Sequence, residues 1–228
     1  MQWFNECIYC NHKLYRLGDG MLKCSHCKKK YSPERINKIL TLIDSFCANE
    51  SALHASKRLH ISYVSTHKYY DMFRLCCAKV SEMEYEQKRD GSCEYEEYFY
   101  LEKSKKNDIN SVFDAHNFLT FDYDNHIYTL EMPSLQKYKR QFSDDSVKRV
   151  FDKEFIKFKR NSRIIKVSKQ FNKIAEFWNY FESFILSYKG VSTEYFGMYL
   201  KEAEFKFNHP LQEQKKLLQK QYFENVNG

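Results

Sequence analysis

The hydrophobic positions along the chain follow two kinds of spacing. Between residues 33 and 80, apolar side chains recur every three or four residues, which places them on one face of an α-helix. Residues 94–132 instead carry short runs rich in Tyr, Phe and Thr, which is typical of β-strands. Helical spacing returns in residues 171–186, 193–207 and 211–223. This order of elements predicts an α+β protein.

Capping residues mark the starts of the N-terminal helices. Ser32 followed by Pro33 predicts the first helix, and Ser51 predicts the second. A turn of three residues then leads into a third helix, predicted from Tyr63 to about Val80. Two short helices joined by such a turn are typical of a helix-turn-helix DNA-binding module. A three-helix bundle without a nucleic-acid role is the alternative.

The middle of the chain predicts strands. Residues 94–101, 117–121 and 126–132 predict three strands in an antiparallel meander. The polar and charged stretch 81–93 before them predicts a linker or an exposed helix end, and we expect a domain boundary there. Residues 147–158 again have helical spacing.

Four cysteines near the N-terminus form two Cys-x-x-Cys pairs with thirteen residues between them: Cys7, Cys10, Cys24 and Cys27. Two such pairs predict a structural zinc site, because each pair presents two sulfurs to one ion. A segment this short buries too little apolar surface to fold unaided, so the metal must supply folding free energy. A redox pair or a chance arrangement of cysteines are the alternatives.

Composition excludes some classes of protein. The sequence has no run of 18 apolar residues and no start resembling a signal peptide, so we expect neither a membrane span nor secretion. Eight cysteines in such a chain favour a reducing compartment, and we expect a cytoplasmic location.

Positive charge is concentrated in the N-terminal third. Residues 1–80 hold 13 Lys and Arg against 6 Asp and Glu, whereas the remainder holds 24 of each kind. A localised excess of this kind is expected of a module that contacts DNA or RNA phosphates, and we expect DNA as the partner. A basic face that is merely solvated is the alternative. The candidate contacts are the lysines after the last ribbon cysteine and the start of the third helix: Lys28, Lys29, Lys30, Tyr63, Ser65, Thr66 and Lys68.

Several sequence segments support a family resemblance. Residues 172–178 (Asn-Lys-Ile-Ala-Glu-Phe-Trp) look like the Asn-x-Ile-Glu-x-Phe-Trp helix of one group of transposases, and residues 199–208 look like its closing helix. Residues 96–99 (Glu-Glu-Tyr-Phe) stand where that group has Asp-Glu-x-Tyr-Phe. Together with the paired cysteines and helices, the chain resembles bacterial insertion-sequence transposases (ISXO-type) with a zinc ribbon and a DDE nuclease core of ribonuclease H-like fold.

The resemblance implies a domain order and a partner. It implies DNA binding and is compatible with a homo-oligomer, without a membrane partner. Its expected parts are a zinc ribbon (1–32), a helix-turn-helix (33–80), a linker (81–93), a reduced ribonuclease H-like α+β core (94–208) and a basic C-terminal helix (209–228).

The catalytic acids depart from the family pattern. The family's chemistry uses three carboxylates that hold two divalent ions, so Mg²⁺ is expected only if the core is active. Glu96 stands at the first Asp, Asp144 and Asp145 are the nearest acids for the second, and Ala175 stands at the helix Glu. Glu176 is one residue further, which rotates a helical side chain by about 100°. These four acids are the candidate catalytic residues.

Three functional hypotheses follow. The first is a transposase-like DNA-binding protein with an impaired nuclease core. The second is an active DDE-type transposase with unusual metal ligands. The third is a zinc-ribbon regulator or interaction module whose aromatic C-terminal domain mediates dimerisation.

Overall fold

A computed structural model describes residues 6–90, 93–100, 115–133, 164–166, 172–188, 191 and 193–225. Helices and antiparallel sheets both occur in these ranges, so the fold class is α+β. None of the described helices is long and apolar enough to cross a membrane. The chain divides into two compact units: unit 1 comprises Met1–Glu82 and His209–Gly228, and unit 2 comprises Met83–Asn208.

Unit 1 begins with a small antiparallel sheet in the order β1-β2-β3. Its strands are β1 (Leu14–Arg16), β2 (Leu22–Cys24) and β3 (Lys30–Tyr31). The turn between β1 and β2 contains Gly20 with a φ of 81°, a conformation that glycine adopts without a steric penalty. Only four strand residues are buried, Leu14, Leu22, Cys24 and Tyr31, so the sheet has an apolar side too small to be a core by itself.

The predicted caps of the first two helices are confirmed. In α1 (Pro33–Cys47) the Ser32 hydroxyl accepts from the backbone N–H of Arg35, and in α2 (Ala52–Arg58) Ser51 is the N-cap. Each cap satisfies one backbone donor that the first helical turn leaves without a partner. The apolar face of α1 is buried at the positions Ile36, Ile39, Leu42, Ile43 and Phe46.

The third helix is longer than the sequence predicts. Helix α3 spans Tyr63–Lys88, eight residues beyond the expected end at Val80, so the stretch 81–88 is an exposed helix end and not a linker. The polar residues there include Glu, Gln and Lys, which are good helix formers, and Gly91 is the first strong helix breaker in the sequence after Val80. The polar character of residues 81–88 therefore led to a prediction that ended α3 too early.

The predicted meander of unit 2 is confirmed. Strands β4 (Glu94–Tyr100), β5 (His116–Tyr123) and β6 (His126–Met132) pair antiparallel in sequence order. A further strand, β7 (Ile164–Lys166), pairs antiparallel with β4. The order across the described part of the sheet is β6-β5-β4-β7, which leaves β6 at one edge.

The hairpin between β5 and β6 turns on two residues with positive φ. Asp124 has a φ of 51° and Asn125 a φ of 67°, the combination that a tight two-residue hairpin turn requires. Asp122, which the sequence places in this turn, lies in β5 opposite Ile127.

Two helices cover one face of the sheet. Helix α4 (Lys173–Leu186) and helix α5 (Phe196–Asn208) join the strands in one aromatic core. At its centre Trp178 stacks on Tyr98 with ring centroids 4.8 Å apart, and its indole N–H donates to the Thr120 hydroxyl at 3.0 Å. The largest fully buried side chains of this core are Trp178, Tyr98, Phe118, Phe177, Phe181 and Ile127.

Side chains of α5 satisfy the open edge of β6. The Asn208 amide accepts from the Ile127 N–H at 2.9 Å and donates to the Ile127 carbonyl at 2.7 Å. Two residues along, the Thr129 N–H donates to the Glu204 carboxylate at 2.7 Å, and Lys201 donates to the Thr129 carbonyl at 2.7 Å. An edge with its backbone groups occupied is a poor template for another strand.

The C-terminal helix belongs to unit 1. Helix α6 (Leu211–Asn225) packs on α1, so both ends of the chain build one core. Tyr222 contacts Phe73 of α3 with ring centroids 5.5 Å apart, and Phe223 contacts Tyr9 at 6.0 Å. The sequence predicts this helix as a separate basic segment, because nothing local indicates where its apolar face packs.

Candidate metal centre and nucleic-acid interface

The four ribbon cysteines converge. The Sγ atoms of Cys7 and Cys27 lie 3.7 Å apart and those of Cys10 and Cys24 lie 3.4 Å apart, with all four sulfurs within 4.8 Å of one another. A disulfide would need about 2.05 Å. Sulfurs about 2.3 Å from a tetrahedral ion are separated by about 3.8 Å. The cluster has the dimensions of a metal site and could hold an ion such as zinc.

Both Cys-x-x-Cys turns are built in the same way. The residue after each second cysteine has a left-handed backbone: Asn11 has a φ of 58° and Lys28 a φ of 62°. In the second turn the N–H groups of His26 and Cys27 point at the Cys24 sulfur, at 3.3 and 3.4 Å. Backbone donors of this kind stabilise a thiolate, which is the form that binds metal.

The cysteines differ in their electrostatic surroundings. A hydrogen bond from the backbone N–H of His12 is the largest of the effects that lower the pKa of the Cys10 thiol to about 5. Burial raises the pKa of Cys7 to about 12, against the opposing effect of backbone N–H groups. A cation at the centre of the cluster would favour the thiolate form of both side chains.

Two histidines lie beside the cluster without being needed in it. His12 and His26 are exposed, and their rings stack with centroids 4.1 Å apart. His12 Nδ1 donates to the Cys10 carbonyl at 2.7 Å. Four thiolates already complete a tetrahedral shell, so the histidines are neighbours of the site.

The lysines that follow the cluster are not equivalent. Lys28 and Lys30 are exposed, whereas Lys29 is half-buried with its Nζ 4.5 Å from the centre of the Tyr9 ring. Lys28 also donates to the Ser25 carbonyl. Lys28 and Lys30 therefore offer the more accessible charges of this tract.

The start of α3 is capped, and one candidate residue there is buried. The Ser62 hydroxyl accepts from the Ser65 N–H at 3.2 Å and bonds the Ser65 hydroxyl at 2.8 Å. Tyr63 is 49% exposed, and Lys68 is exposed. Thr66 is fully buried and its hydroxyl donates to the Ser62 carbonyl, so the structure does not expose this candidate DNA contact.

Sequence reasoning missed two exposed apolar residues near this turn. Val64, the second residue of α3, is 63% exposed. Leu53 of α2 is 49% exposed, while Ala55 on the same helix is fully buried. Helical spacing gave no signal for Leu53, because a seven-residue helix has too few turns to define its buried face. Val64 stands in the first turn of α3, before a periodic pattern is established.

The whole formal charge excess lies in unit 1. Its two segments hold 16 Lys and Arg against 9 Asp and Glu, whereas unit 2 holds 21 of each kind. The C-terminal helix adds to this balance, with three lysines against two glutamates. Charge and exposed helix start thus occur in the same unit.

The candidate catalytic acids of unit 2 are held in other interactions. Glu96 accepts from the Asn172 amide and from the Tyr98 hydroxyl, each at 2.8 Å. Glu176 is half-exposed, 3.9 Å from Lys173, and Ala175 is buried. The expected divergence of positions 175 and 176 on the helix is confirmed. In the described ranges, only cysteine and histidine side chains group closely enough to hold a metal ion.

Asp144, Asp145 and the predicted helix at 147–158 lie outside the described residues. The position of a second catalytic acid therefore stays a prediction.

Glu202, on α5, is buried as an ion pair. Its carboxylate accepts from Lys206 at 2.6 Å and from the Tyr188 hydroxyl at 3.3 Å. The Glu202 and Lys206 side chains are only 1% and 2% exposed. Aromatic residues flank Glu202 in the sequence, and in the structure its carboxylate pairs with Lys206 inside the core.

Comparisons of the chain with protein-family models, with curated proteins and with solved structures find no match. The resemblance to insertion-sequence transposases therefore rests on the residues quoted above and stays a hypothesis.

Proposed function

We propose that this chain is a DNA-binding protein of the insertion-sequence transposase type, with an impaired nuclease core. One observation carries the proposal. Unit 1 holds the entire charge excess and also presents the exposed, capped start of α3. A basic unit with an exposed helix start is what a phosphate-anchored, groove-reading module needs.

In this proposal the cysteine cluster holds structural zinc and the first sheet is a zinc ribbon. Four thiolates close the coordination shell, so no position is left for a substrate or a reactive water. The ion would hold β1–β3 in place beside the basic tract. Metal binding requires reduced thiols, which fits a reducing compartment such as the cytoplasm.

Helices α2 and α3 would form the helix-turn-helix. The side chains available to contact DNA are Tyr63 and Lys68, with Ser65 half-buried against its cap. Lys28 and Lys30 would bind phosphates. Of the DNA contacts predicted from the sequence, the proposal therefore keeps those whose side chains are accessible.

The impaired core rests on three positions. Glu96 already accepts two side-chain hydrogen bonds, and it is one methylene longer than the Asp of the family pattern. Ala175 offers no oxygen, and Glu176 points elsewhere. A displacement of about 1 Å in a catalytic group can cost about a hundredfold in rate. The ribonuclease H-like assignment itself rests on the family resemblance.

Binding of a fluorescein-labelled random-sequence duplex tests the DNA-binding proposal. The double variant Lys28→Ala/Lys30→Ala should weaken binding and reduce the slope of log affinity against log salt by about 2, one unit for each lost phosphate contact. The matched control is Lys88→Ala/Arg89→Ala, which removes two exposed charges from unit 2. Equal effects of the two pairs, or no binding by the unmodified protein, would overturn the proposal.

A cleavage assay with Mg²⁺ or Mn²⁺ tests the state of the core. The unmodified protein should not cut or join duplex DNA efficiently, because its acids do not supply a two-metal site. Ala175→Glu and Glu176→Ala are assayed beside it. Robust cleavage that Glu176→Ala abolishes would show an active transposase with unusual ligands.

A further inference from the structure

A second group of metal-ligating side chains lies beside the cysteine cluster. One ligand atom from each of Cys10, His12 and His26 lies within 4.8 Å of the other two. Cys10 is half-buried, and both histidines are exposed. Among the described residues, this group and the four cysteines are the only sets of Cys, His, Asp or Glu side chains placed closely enough to hold a metal ion. Cys10 belongs to both sets.

The two Cys-x-x-Cys turns bring the histidines together. His12 follows Cys10 by two residues, and His26 lies inside the second turn, between Cys24 and Cys27. The Sγ atoms of Cys10 and Cys24 lie 3.4 Å apart, and the two imidazole rings stack at 4.1 Å with an angle of 12° between their planes. Because each histidine is next to a cluster cysteine in the chain, convergence of the sulfurs also sets the rings side by side.

The hydrogen bond of His12 is one that metal-ligating histidines commonly make. Its Nδ1–H donates to the Cys10 carbonyl at 2.7 Å. Donation from Nδ1 leaves the free lone pair on Nε2, and a backbone carbonyl at one ring nitrogen is a usual partner of an imidazole that binds metal through the other. This bond is a separate observation from the spacing of the three side chains, and it also points to a ligand role for His12.

The ion proposed for the cysteine cluster would leave negative charge beside these histidines. Four thiolates around one Zn²⁺ carry two uncompensated negative charges. A metal-bound thiolate keeps lone pairs, so the Cys10 sulfur can bridge two cations. A second divalent cation would offset the remaining charge, and imidazole together with thiolate suits Zn²⁺, Co²⁺ and Ni²⁺.

We infer that Cys10, His12 and His26 form a second, weaker site for a divalent transition-metal ion, with the Cys10 thiolate bridging to the ion of the cluster. The inference goes beyond DNA binding and rests on the proposed zinc in the cysteine cluster. Three protein ligands leave a fourth position open to water, whereas four thiolates close the first shell. Both histidines are exposed, so their rings can turn apart to place a nitrogen about 2.0–2.1 Å from the ion. The second ion is therefore the exchangeable one.

Cobalt titration of the full chain, loaded with one zinc per molecule, tests the inference. Zinc binds such sites more tightly than cobalt, so Co²⁺ leaves the cluster occupied and reports on a further site. We expect one Co²⁺ per chain, with the thiolate-to-cobalt charge-transfer absorption that a bridging Cys10 produces. His12→Ala and His26→Ala should each weaken Co²⁺ binding by at least about a hundredfold, since each removes a ligand and even outer-shell changes cost about 10–100-fold.

The matched control is His54→Ala/His60→Ala, which removes two exposed histidines elsewhere in unit 1 and should leave cobalt binding unchanged. Zinc content and hydrogen exchange over residues 6–31 verify that each variant keeps the cysteine cluster. Two single variants are used so that either one with its zinc intact decides the question. Loss of the first zinc from both would overturn the inference, because the histidines would then serve the cluster itself.

The outcomes separate the second site from the proposed zinc cluster. Cobalt that binds without charge-transfer absorption, or equally well in the two histidine variants, overturns the inference and leaves the structural zinc intact. An unmodified protein that holds zinc but takes up no cobalt has the same consequence. A protein that holds no zinc in its cysteine cluster overturns both.

Discussion

The two units of the chain differ in net charge, in chain continuity and in the make-up of their cores. Unit 1 carries all of the formal positive excess and is assembled from both ends of the sequence, with a cysteine cluster at one side. Unit 2 is a continuous stretch with balanced charge and a core dominated by aromatic rings. It also holds two lysine–glutamate pairs on α5, of which Lys206–Glu202 is buried on both sides.

This difference shows where function and stability are to be sought. Self-repulsion among like charges destabilises a compact unit, and unit 1 is the unit that carries such an excess. Unit 2 has no such excess. The polar side chains of α5 bind the edge of β6 and form a buried ion pair. The proposed phosphate binding is therefore assigned to unit 1, and the predictions below test whether each unit responds by itself.

The largest effect should come from losing a metal ligand. Cys24→Ala should release the ion and unfold residues 6–31, because structural zinc contributes about 10–16 kcal/mol of binding free energy to such modules. Metal analysis and hydrogen exchange by mass spectrometry measure the two consequences. Cys93→Ala, which changes an exposed cysteine of unit 2, is the control. Retained protection of residues 6–31 without metal would contradict the prediction.

A smaller loss is expected from breaking a buried ion pair in unit 2. Lys206→Met leaves the Glu202 carboxylate buried without its lysine and should cost about 3–5 kcal/mol of unfolding free energy. The double variant Glu202→Gln/Lys206→Met should recover most of that loss, because no charge stays buried. Denaturant unfolding followed by exchange in α5 measures it. Equal stability of the single variant and the unmodified protein would show that the pair is not as buried as described.

The C-terminal helix offers a test of the discontinuous unit. Tyr222→Ala should destabilise α1 and α3 by about 3 kcal/mol, since a buried aromatic ring against Phe73 is lost. Exchange rates in α1 and α3 should rise while those in β4–β6 stay the same. Gln212→Ala, an exposed position on the same helix, should change neither. A rise confined to α6 would mean that this helix is only an appendage.

The smallest effect concerns pH. The Arg58 guanidinium beside Glu50, at 2.6 Å, lowers the pKa of that carboxyl below its ordinary value of 4.5. A depressed folded-state pKa stabilises the folded form above pH 4.5, and this contribution is lost as pH falls through the lower pKa. The melting temperatures of Glu50→Gln and the unmodified protein should converge as the pH falls through that lowered pKa. A difference that persists unchanged at pH 3 would exclude this cause.

The sequence by itself determined those features that depend on neighbouring residues. Two Cys-x-x-Cys turns, the serine caps of α1 and α2, and the strand meander all follow from contacts within a few positions along the chain. The same locality explains why positions 175 and 176 could be assigned to different sides of α4 before any packing was known.

Tertiary structure decided where distant segments meet. The association of α6 with α1, the burial of Thr66 and the partners of Glu96 depend on residues far apart in the sequence. The helical spacing of Lys201, Glu204 and Asn208 is visible in the sequence. Their role is not, because these side chains bind the edge of a strand more than 70 positions away. Local propensity is set by each residue's own conformational freedom, whereas these pairings are set by which surfaces the whole chain can bury together.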